Sequence, residues 1–387
     1  MFQGIALVLF AIIIIASKFR VPFIVIALFA GILFGSDVLG MIKFYDFKSA
    51  SRVANYALVF VLFIAGFSTK KERLKMVLAP AMSLATAGVI ITSGVVAILL
   101  YLLLSLPIMV CVLIGCIIAS TDAAAVFSIL RTRSFDPKLS STVEIESATN
   151  DPMGIVLTTI VISMMVSMET VTIGQGDIVL NLLWQIIGGA GIGLLVGKGV
   201  VFLSRFVAKL DTEYFYVYLI AVIMFSYGAA DFIGANGILS AFFAGFMLGN
   251  ENIPYKTEAN TLFDALATIG NVVIFVMLGL LVSPKEFGTI WMAGLLLFAV
   301  LTFIARPIAV WSSTFFTKTS AKEKTFICWS GLRGAVPIVL ATYPAAAGLD
   351  DDRFIFNTVF FAVLLSLLIQ GVTITKLADK LGLSGKN

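Results

Sequence analysis

The chain has 387 residues, of which 60% are hydrophobic and only 12% are charged, and its formal net charge is +4. Soluble domains are about 25% charged, so this composition excludes a soluble protein and places most of the chain in a membrane. The modest net charge excludes a basic tail for nucleic acid. The chain has no histidine, which excludes His-based metal centres and Ser-His catalytic triads. Any side chain that carries a proton near neutral pH must therefore be a carboxylate with a raised pKa.

Apolar runs that are long enough to cross a bilayer, or nearly so, recur along the chain. They predict an all-α polytopic membrane protein of about thirteen transmembrane helices. The three cysteines fall inside these runs, and we expect no disulfide, resident metal or cofactor. The predicted helices cover residues 3–17, 22–36, 54–69, 77–104, 108–130, 141–168, 178–206, 213–231, 236–250, 262–282, 288–313, 324–346 and 352–377.

Basic residues gather in alternate loops of this predicted arrangement. One such loop carries Lys70, Lys71, Arg73 and Lys75, whereas acidic clusters such as 350–352 fall in the other set of loops. Because basic loops stay on the cytoplasmic side of a membrane, the pattern predicts an outside N-terminus and a cytoplasmic C-terminus.

An internal repeat is visible in the apolar pattern. The sequence Phe-Ala-Gly-x-x-x-Gly at 29–35 recurs at 243–249, and the same offset takes Lys71-Glu72 onto Lys285-Glu286. An odd number of crossings separates equivalent helices, so the two halves would have opposite orientations. Inverted repeats are typical of secondary transporters, whose substrates bind at midplane on broken helices.

The repeat predicts a single transmembrane domain over 1–387, with six helices, one linker helix and six helices. Repeat one would cover about 3–168, the linker helix about 178–206, and repeat two about 213–377. We expect no cytosolic regulatory domain in this chain.

Two of the predicted helices contain residues that favour a break. Thr121 and Asp122 compete with the helical backbone for hydrogen bonds, and Pro337 lacks an N–H and clashes with the carbonyl four residues earlier. We expect Arg333, beside Gly334, to offset the negative end of a broken helix. For Asp122, offsetting a positive helix end and binding a cation directly are both open.

Carboxylates on the predicted helix 141–168 indicate a binding site inside the bilayer. A charge at the centre of a membrane helix costs at least ~2.5 kcal/mol. Asp151 shares a helix face with Ser147, four residues away, and together with a free carbonyl from 108–130 they would form an oxygen cage for an alkali ion. Glu146 shares its face with Asn150, and Arg306 is its best candidate partner in a structural ion pair.

Three motifs resemble those of the monovalent cation/proton antiporter superfamily. They are Ser-Thr-Asp-Ala-Ala-Ala-Val-Phe-Ser at 120–128, Glu-x-x-x-Asn-Asp at 146–151 and Gly-Leu-Arg-Gly-Ala-Val-Pro-Ile at 331–338. Within the superfamily they look like the NhaP-type branch, and most like bacterial potassium(sodium)/proton antiporters of the cell-volume-regulation type. The resemblance runs over essentially the whole chain.

The resemblance implies a homodimer in the bacterial plasma membrane, with crossed broken helices and alternating access. It implies that Asp151 binds the cation or the proton, next to Asn150, and that the pair Asn-Asp accompanies electroneutral exchange. It also implies that Thr121 and Asp122 are unwound, that Ser147 is a ligand, and that Glu146 pairs with Arg306. Many relatives carry an acid where this chain has Ile64, so the resemblance does not carry their ion selectivity over to this chain.

These features lead to the interpretation that the chain is an antiporter, not an enzyme, and exchanges K⁺, Na⁺ or both for H⁺. A sodium-selective antiporter and a cation channel are the alternatives. A channel is disfavoured because no Thr-Val-Gly-Tyr-Gly filter is present. An intramembrane hydrolase is disfavoured because histidine and a Gly-x-Ser-x-Gly motif are absent.

Overall fold

The computed structural model describes residues 23–122, 126, 133–170, 175–207, 211–350 and 353–386. The first predicted helix, 3–17, lies outside these residues. The described part of the chain is helical apart from one short two-stranded ribbon. Its helices are α1 (Phe23–Phe34), α2 (Phe47–Ser68), α3 (Lys71–Leu104), α4 (Ile108–Ile118), α5 (Pro137–Thr170), α6 (Gln175–Val207), α7 (Thr212–Phe232), α8 (Gly237–Gly249), α9 (Lys256–Leu281), α10 (Pro284–Ser313), α11 (Ala321–Ser330), α12 (Ala335–Ala346) and α13 (Phe354–Leu381).

Among the described residues, eight helices are long and apolar enough to cross a membrane. The pair α11 and α12 supplies a ninth candidate span that bends by 47° at its break, and α1, α4 and α8 are shorter apolar helices. The chain is therefore a multi-pass membrane protein.

Two predicted helices are interrupted. The predicted helix 108–130 ends as α4 at Ile118, because Ser120, Thr121 and Asp122 follow and leave the helical path. Most of the rest of that prediction, 123–125 and 127–130, lies outside the described residues. The predicted helix 324–346 is broken over 331–334, which is the break that Pro337 predicts.

The helices form two compact units. The first unit comprises the described parts of Met1–Val53, Val77–Glu169 and Ile274–Asn387, and the second comprises those of Ala54–Met76 and Thr170–Val273. Each unit thus contains residues from both halves of the predicted repeat.

Close helix packing within each unit depends on glycine. In the first unit a Cβ added to Gly31 would lie 2.9 Å from the Cα of Gly279. In the second unit a Cβ added to Gly245 would lie 3.1 Å from the backbone nitrogen of Phe67, and one added to Gly66 would collide with α8. Gly31 and Gly245 are the equivalent glycines of the repeated Phe-Ala-Gly-x-x-x-Gly sequence, so each copy makes a backbone-to-backbone helix contact.

An apolar cluster in the first unit supports the break between α11 and α12. Leu332 of the break and Phe326 of α11 are fully or almost fully buried in it, together with Val143 of α5, Val310 of α10 and Ile374 of α13. The backbone of 331–334 therefore lies against three other helices, which keeps its open polar groups away from lipid.

A two-stranded antiparallel ribbon corrects the all-α prediction at six residues. Strand β1 (Arg133–Phe135) pairs with β2 (Ser384–Lys386), with Ser134 opposite Gly385. The chain turns into β2 because Gly382 ends α13 in the left-handed conformation, with φ of 68°.

Candidate functional site

The two interrupted segments, 119–122 and 331–334, cross within the first unit. The backbone N–H of Asp122 donates to the carbonyl of Leu332 at 2.8 Å. A Cβ added to Gly334 would lie 2.5 Å from Cγ of Asp122, so the Asp122 carboxyl group occupies the space that a side chain at position 334 would need. Only glycine at 334 permits this approach.

Arg333 lies at the carboxyl end of α4. Its side chain is fully buried, and its Nη1 donates to the carbonyl oxygens of Ala119 at 2.7 Å and Ser120 at 2.5 Å. These carbonyls belong to the end of a broken helix and have no following helical turn to bond to. The guanidinium thus places a positive charge at the negative end of the α4 dipole.

Thr121 is held by two side chains of α5. The Ser147 hydroxyl donates to the Thr121 carbonyl at 2.7 Å. Asn150 accepts from the Thr121 N–H at 3.2 Å through Oδ1 and donates to the Thr121 hydroxyl at 2.7 Å through Nδ2. Because both ends of its amide bond to Thr121, Asn150 fixes the unwound backbone beside Asp151.

Asp151 has a buried oxygen whose hydrogen bonding is incomplete. Within the described residues its Oδ1 and the Ser120 hydroxyl form no hydrogen bond of standard geometry, although the two side chains lie close enough to interact. The charges of Asp122 and Arg333 lie close enough to act on this carboxyl group. A buried polar atom without a partner costs about 1–3 kcal/mol, and a bound cation or a proton on the carboxylate would remove that cost.

Glu146 and Arg306 form a buried ion pair next to this crossing. Arg306 Nη1 lies 2.8 Å from Glu146 Oε1, and the two side chains are 3% and 2% exposed. Arg306 Nη2 also donates to the carbonyl of Ile327 at 3.2 Å. A Cβ added to Gly331 would lie 2.6 Å from Arg306 Nε, so the first glycine of the break leaves room for the guanidinium. The pair therefore connects α5, α10 and α11.

The remaining sequence-predicted residues lie as follows. Pro337 is buried in the first turn of α12, where a missing N–H breaks no helical hydrogen bond. Ile64 is buried in the second unit.

The described residues contain no group of three His, Cys, Asp or Glu side chains that is placed to hold a metal ion. The sequence predicts a free carbonyl from 108–130, but it does not predict that the carbonyls of Ala119, Ser120 and Leu332 are the ones that bond across the crossing, because motifs record side chains and not backbone groups.

Comparisons with known proteins give cation/proton antiporters as relatives of this chain. The chain is 36% identical over 368 residues to the K(+)/H(+) antiporter NhaP2 of Shewanella sp. (strain ANA-3), covering 94% of this chain and 63% of that protein. It is 37% identical over 366 residues to the K(+)/H(+) antiporter NhaP of Alkalimonas amylolytica, with the same two coverages. To the Na(+)/H(+) antiporter NhaH of Halobacillus dabanensis it is 31% identical over 312 residues, 78% of this chain and 76% of that protein. The chain thus spans 63% of the length of the two K(+)/H(+) relatives.

A solved structure shares the architecture. The sodium proton antiporter MjNhaP1 from Methanocaldococcus jannaschii at pH 8 matches with a TM-score of 0.83 and 25% identity, over 98% of this chain and 99% of that chain. The family model described as "Sodium/hydrogen exchanger, transmembrane" matches residues 5–380. With nearly its full length matched, the chain belongs to the transmembrane sodium/hydrogen exchanger family.

Proposed function

We propose that this chain is an electroneutral antiporter that exchanges a monovalent cation, K⁺ or Na⁺, for H⁺ across the bacterial plasma membrane. The observation that carries the proposal is the buried Asp151 Oδ1, which forms no hydrogen bond of standard geometry within the described chain and lies within reach of the charges of Asp122 and Arg333. Both kinds of substrate fit, since two of the relatives are named for K⁺ and one for Na⁺.

The proposed cation ligands are hard oxygen atoms around Asp151. They are Oδ1 of Asp151, the Ser120 and Ser147 hydroxyls and the Thr121 carbonyl. The Thr121 carbonyl accepts one hydrogen bond, from Ser147, and retains a second lone pair for an ion. Both polar atoms of the Asn150 amide bond to Thr121. In this proposal Asn150 therefore positions the Thr121 carbonyl and does not coordinate the ion.

Competition between the cation and the proton for a single carboxylate accounts for the coupling of their movements. Asp151 binds either a cation or a proton, and exchange follows if only the occupied forms of the site cross the membrane. Asp122 remains a fixed charge because it contacts Gly334 at the amino end of α12, where the helix dipole favours a carboxylate. One cation then moves for one proton.

The proposal includes the inverted repeat, a homodimeric assembly, an outside N-terminus and a cytoplasmic C-terminus. Two features support the repeat. Each copy of Phe-Ala-Gly-x-x-x-Gly packs a glycine against another backbone, and the predicted repeat-equivalent helices α3 and α10 each contain one π turn, at Leu84–Gly88 and Leu301–Ala305. The orientation is supported by the basic loops.

Proteoliposomes test the proposal. The purified chain is reconstituted with a pH-sensitive dye inside the vesicles, and K⁺, Na⁺ or choline is added outside. We expect a saturable rise in internal pH with K⁺ or Na⁺, no response with choline, and no response with either ion for Asp151→Asn. A cation current without proton movement would instead indicate a channel and would overturn the proposal.

A further inference from the structure

A π turn in α13 lies beside the break between α11 and α12. The turn covers Ser366–Gln370. The Ser366 hydroxyl accepts from the backbone N–H of Arg333 at 3.2 Å and donates to Gln370 Oε1 at 2.5 Å. The Gln370 amide then donates to the carbonyl of Trp329 at 3.2 Å. Two side chains of one helix thus bond to the backbone just before the break, at Trp329, and within it, at Arg333.

The backbone groups that these side chains satisfy are those that the break leaves open. The Trp329 carbonyl lies in the last turn of α11, and the Arg333 N–H lies within the break, two residues before α12 begins at Ala335. Such groups have no intrahelical partner, and leaving them unpaired inside a membrane is costly. Ser366 is fully buried and Gln370 is 2% exposed, so bulk water does not replace them.

The network also has a fixed direction. The Ser366 hydroxyl oxygen accepts a hydrogen bond from the Arg333 backbone N–H, and its O–H donates to Gln370 Oε1. The other end of the Gln370 amide is thereby turned towards Trp329. Removing either side chain leaves one hydrogen-bonding group of its neighbour unpaired, the Ser366 hydroxyl hydrogen or Gln370 Oε1, so the pair acts as one unit.

The position of the Arg333 backbone bears on the candidate ion site. The Arg333 side chain holds the Ala119 and Ser120 carbonyls, and Ser120 is next to Thr121, which α5 holds beside Asp151. A shift of the 331–334 backbone would therefore move the guanidinium relative to these carbonyls. π turns inside α-helices are frequent at functional sites.

We propose that Ser366 and Gln370 are positioning residues of the antiporter: they fix the unwound backbone at 329–333 and thereby set the affinity of the Asp151 site for the cation. This inference rests on the proposed function. Neither residue touches the ion. They act through Arg333, which keeps the crossing segment of 119–121 in its binding geometry.

Transport kinetics test the effect on affinity. Ser366→Ala and Gln370→Met remove the hydrogen bonds with little change in volume. Loss of one buried hydrogen bond predicts an increase in the apparent KM for the cation of about twofold to tenfold, with a smaller change in maximal rate. The double variant should show less than the product of the two single effects, because Ser366 donates to Gln370. Unchanged KM in both single variants would overturn the inference.

Ser204→Ala is the matched control. Ser204 is also a buried helical serine, but its hydroxyl donates to the Val201 carbonyl of its own helix. This variant should retain the KM of the unmodified chain. An equal rise in KM for Ser204→Ala would mean that any buried serine change disturbs transport, and the inference would fail.

Hydrogen–deuterium exchange tests the positioning independently of transport. In Ser366→Ala the amides of a peptide covering 329–336 should exchange faster than in the unmodified chain, while peptides from α6 should not change. If the unmodified chain moves no cation, the proposed function fails, yet the exchange rate still decides whether Ser366 fixes the break. An unchanged rate at 329–336 would show that it does not.

Discussion

Asp122 and Arg333 lie on crossing backbone segments, and each side chain lies at the end of a helix that belongs to the other segment. The Arg333 guanidinium bonds to carbonyls at the carboxyl end of α4, and the Asp122 carboxyl group contacts Gly334, the residue that caps the amino end of α12. Each side chain thus lies at a helix end whose dipole has the sign opposite to its own charge. In the proposed mechanism both charges are therefore permanent, and Asp151 is left to exchange its proton.

Replacing Asp151 by asparagine removes a titrating charge with almost no change in volume. We expect Asp151→Asn to fold, to elute as the unmodified chain does in size-exclusion chromatography, and to lose cation-dependent proton movement down to the level of empty vesicles. Near-normal pH-coupled flux in this variant would show that the exchanged proton is carried elsewhere.

The pair of Glu146 and Arg306 should contribute to stability as a unit. Removal of one partner leaves a buried charge unpaired, which costs roughly 3–5 kcal/mol, so Glu146→Gln and Arg306→Gln should each lower the melting temperature. The double variant should lose less than the sum of the single losses. Strictly additive losses in thermal unfolding would mean that the 2.8 Å contact contributes nothing.

Substitution by alanine should have different effects at Gly331 and at Gly334. An added Cβ at Gly331 meets Arg306, and one at Gly334 meets Asp122. We expect Gly331→Ala to lower thermal stability by displacing the ion pair, and Gly334→Ala to lower the exchange rate by displacing Asp122 from the end of α12.

A matched control exists for both glycine variants. A Cβ added to Gly94 of α3 would have no neighbour within 4 Å, and alanine favours a helix interior by about 1 kcal/mol over glycine. Gly94→Ala should therefore retain both activity and stability. If Gly334→Ala transports as well as Gly94→Ala, the contact with Asp122 has no role in exchange.

The sequence predicts a feature of this site where a side chain determines it, and does not where the feature depends on the position of a backbone group. The break at 331–334 is predictable because Pro337 forbids a regular helix across it. Ser147 and Asn150 are placed correctly on one helix beside Asp151, but their bonds to Thr121 are not predictable, because they depend on where the unwound segment lies in space. The same holds for Ser366, whose partner is a backbone N–H that opens only once the helix breaks.

Two details of the backbone are not predictable from the sequence. The sequence predicts a break in 108–130 at Thr121 and Asp122, and α4 does end at Ile118, but hydropathy does not show which groups hold the break open: Asn150 and Leu332 accept hydrogen bonds from the backbone N–H groups of Thr121 and Asp122. The ribbon of β1 and β2 is missed because its pairing joins segments far apart in sequence, and each strand alone carries too few residues to show a pattern.

The last prediction concerns charge and pH. If Asp151 is the single exchanged carboxylate, one cation replaces one proton, and exchange should not respond to membrane potential. Protons compete with the cation for the same oxygen atoms, so the apparent KM for the cation should rise as the pH falls, with little change in maximal rate at saturating cation. Vesicles without valinomycin, with a potential set by a chloride gradient and a chloride carrier, provide the measurement. Net cation movement driven by that potential in the absence of an ion gradient would require a second coupled charge, and Asp122, the nearest fixed carboxylate in the crossing, would then be the residue to substitute.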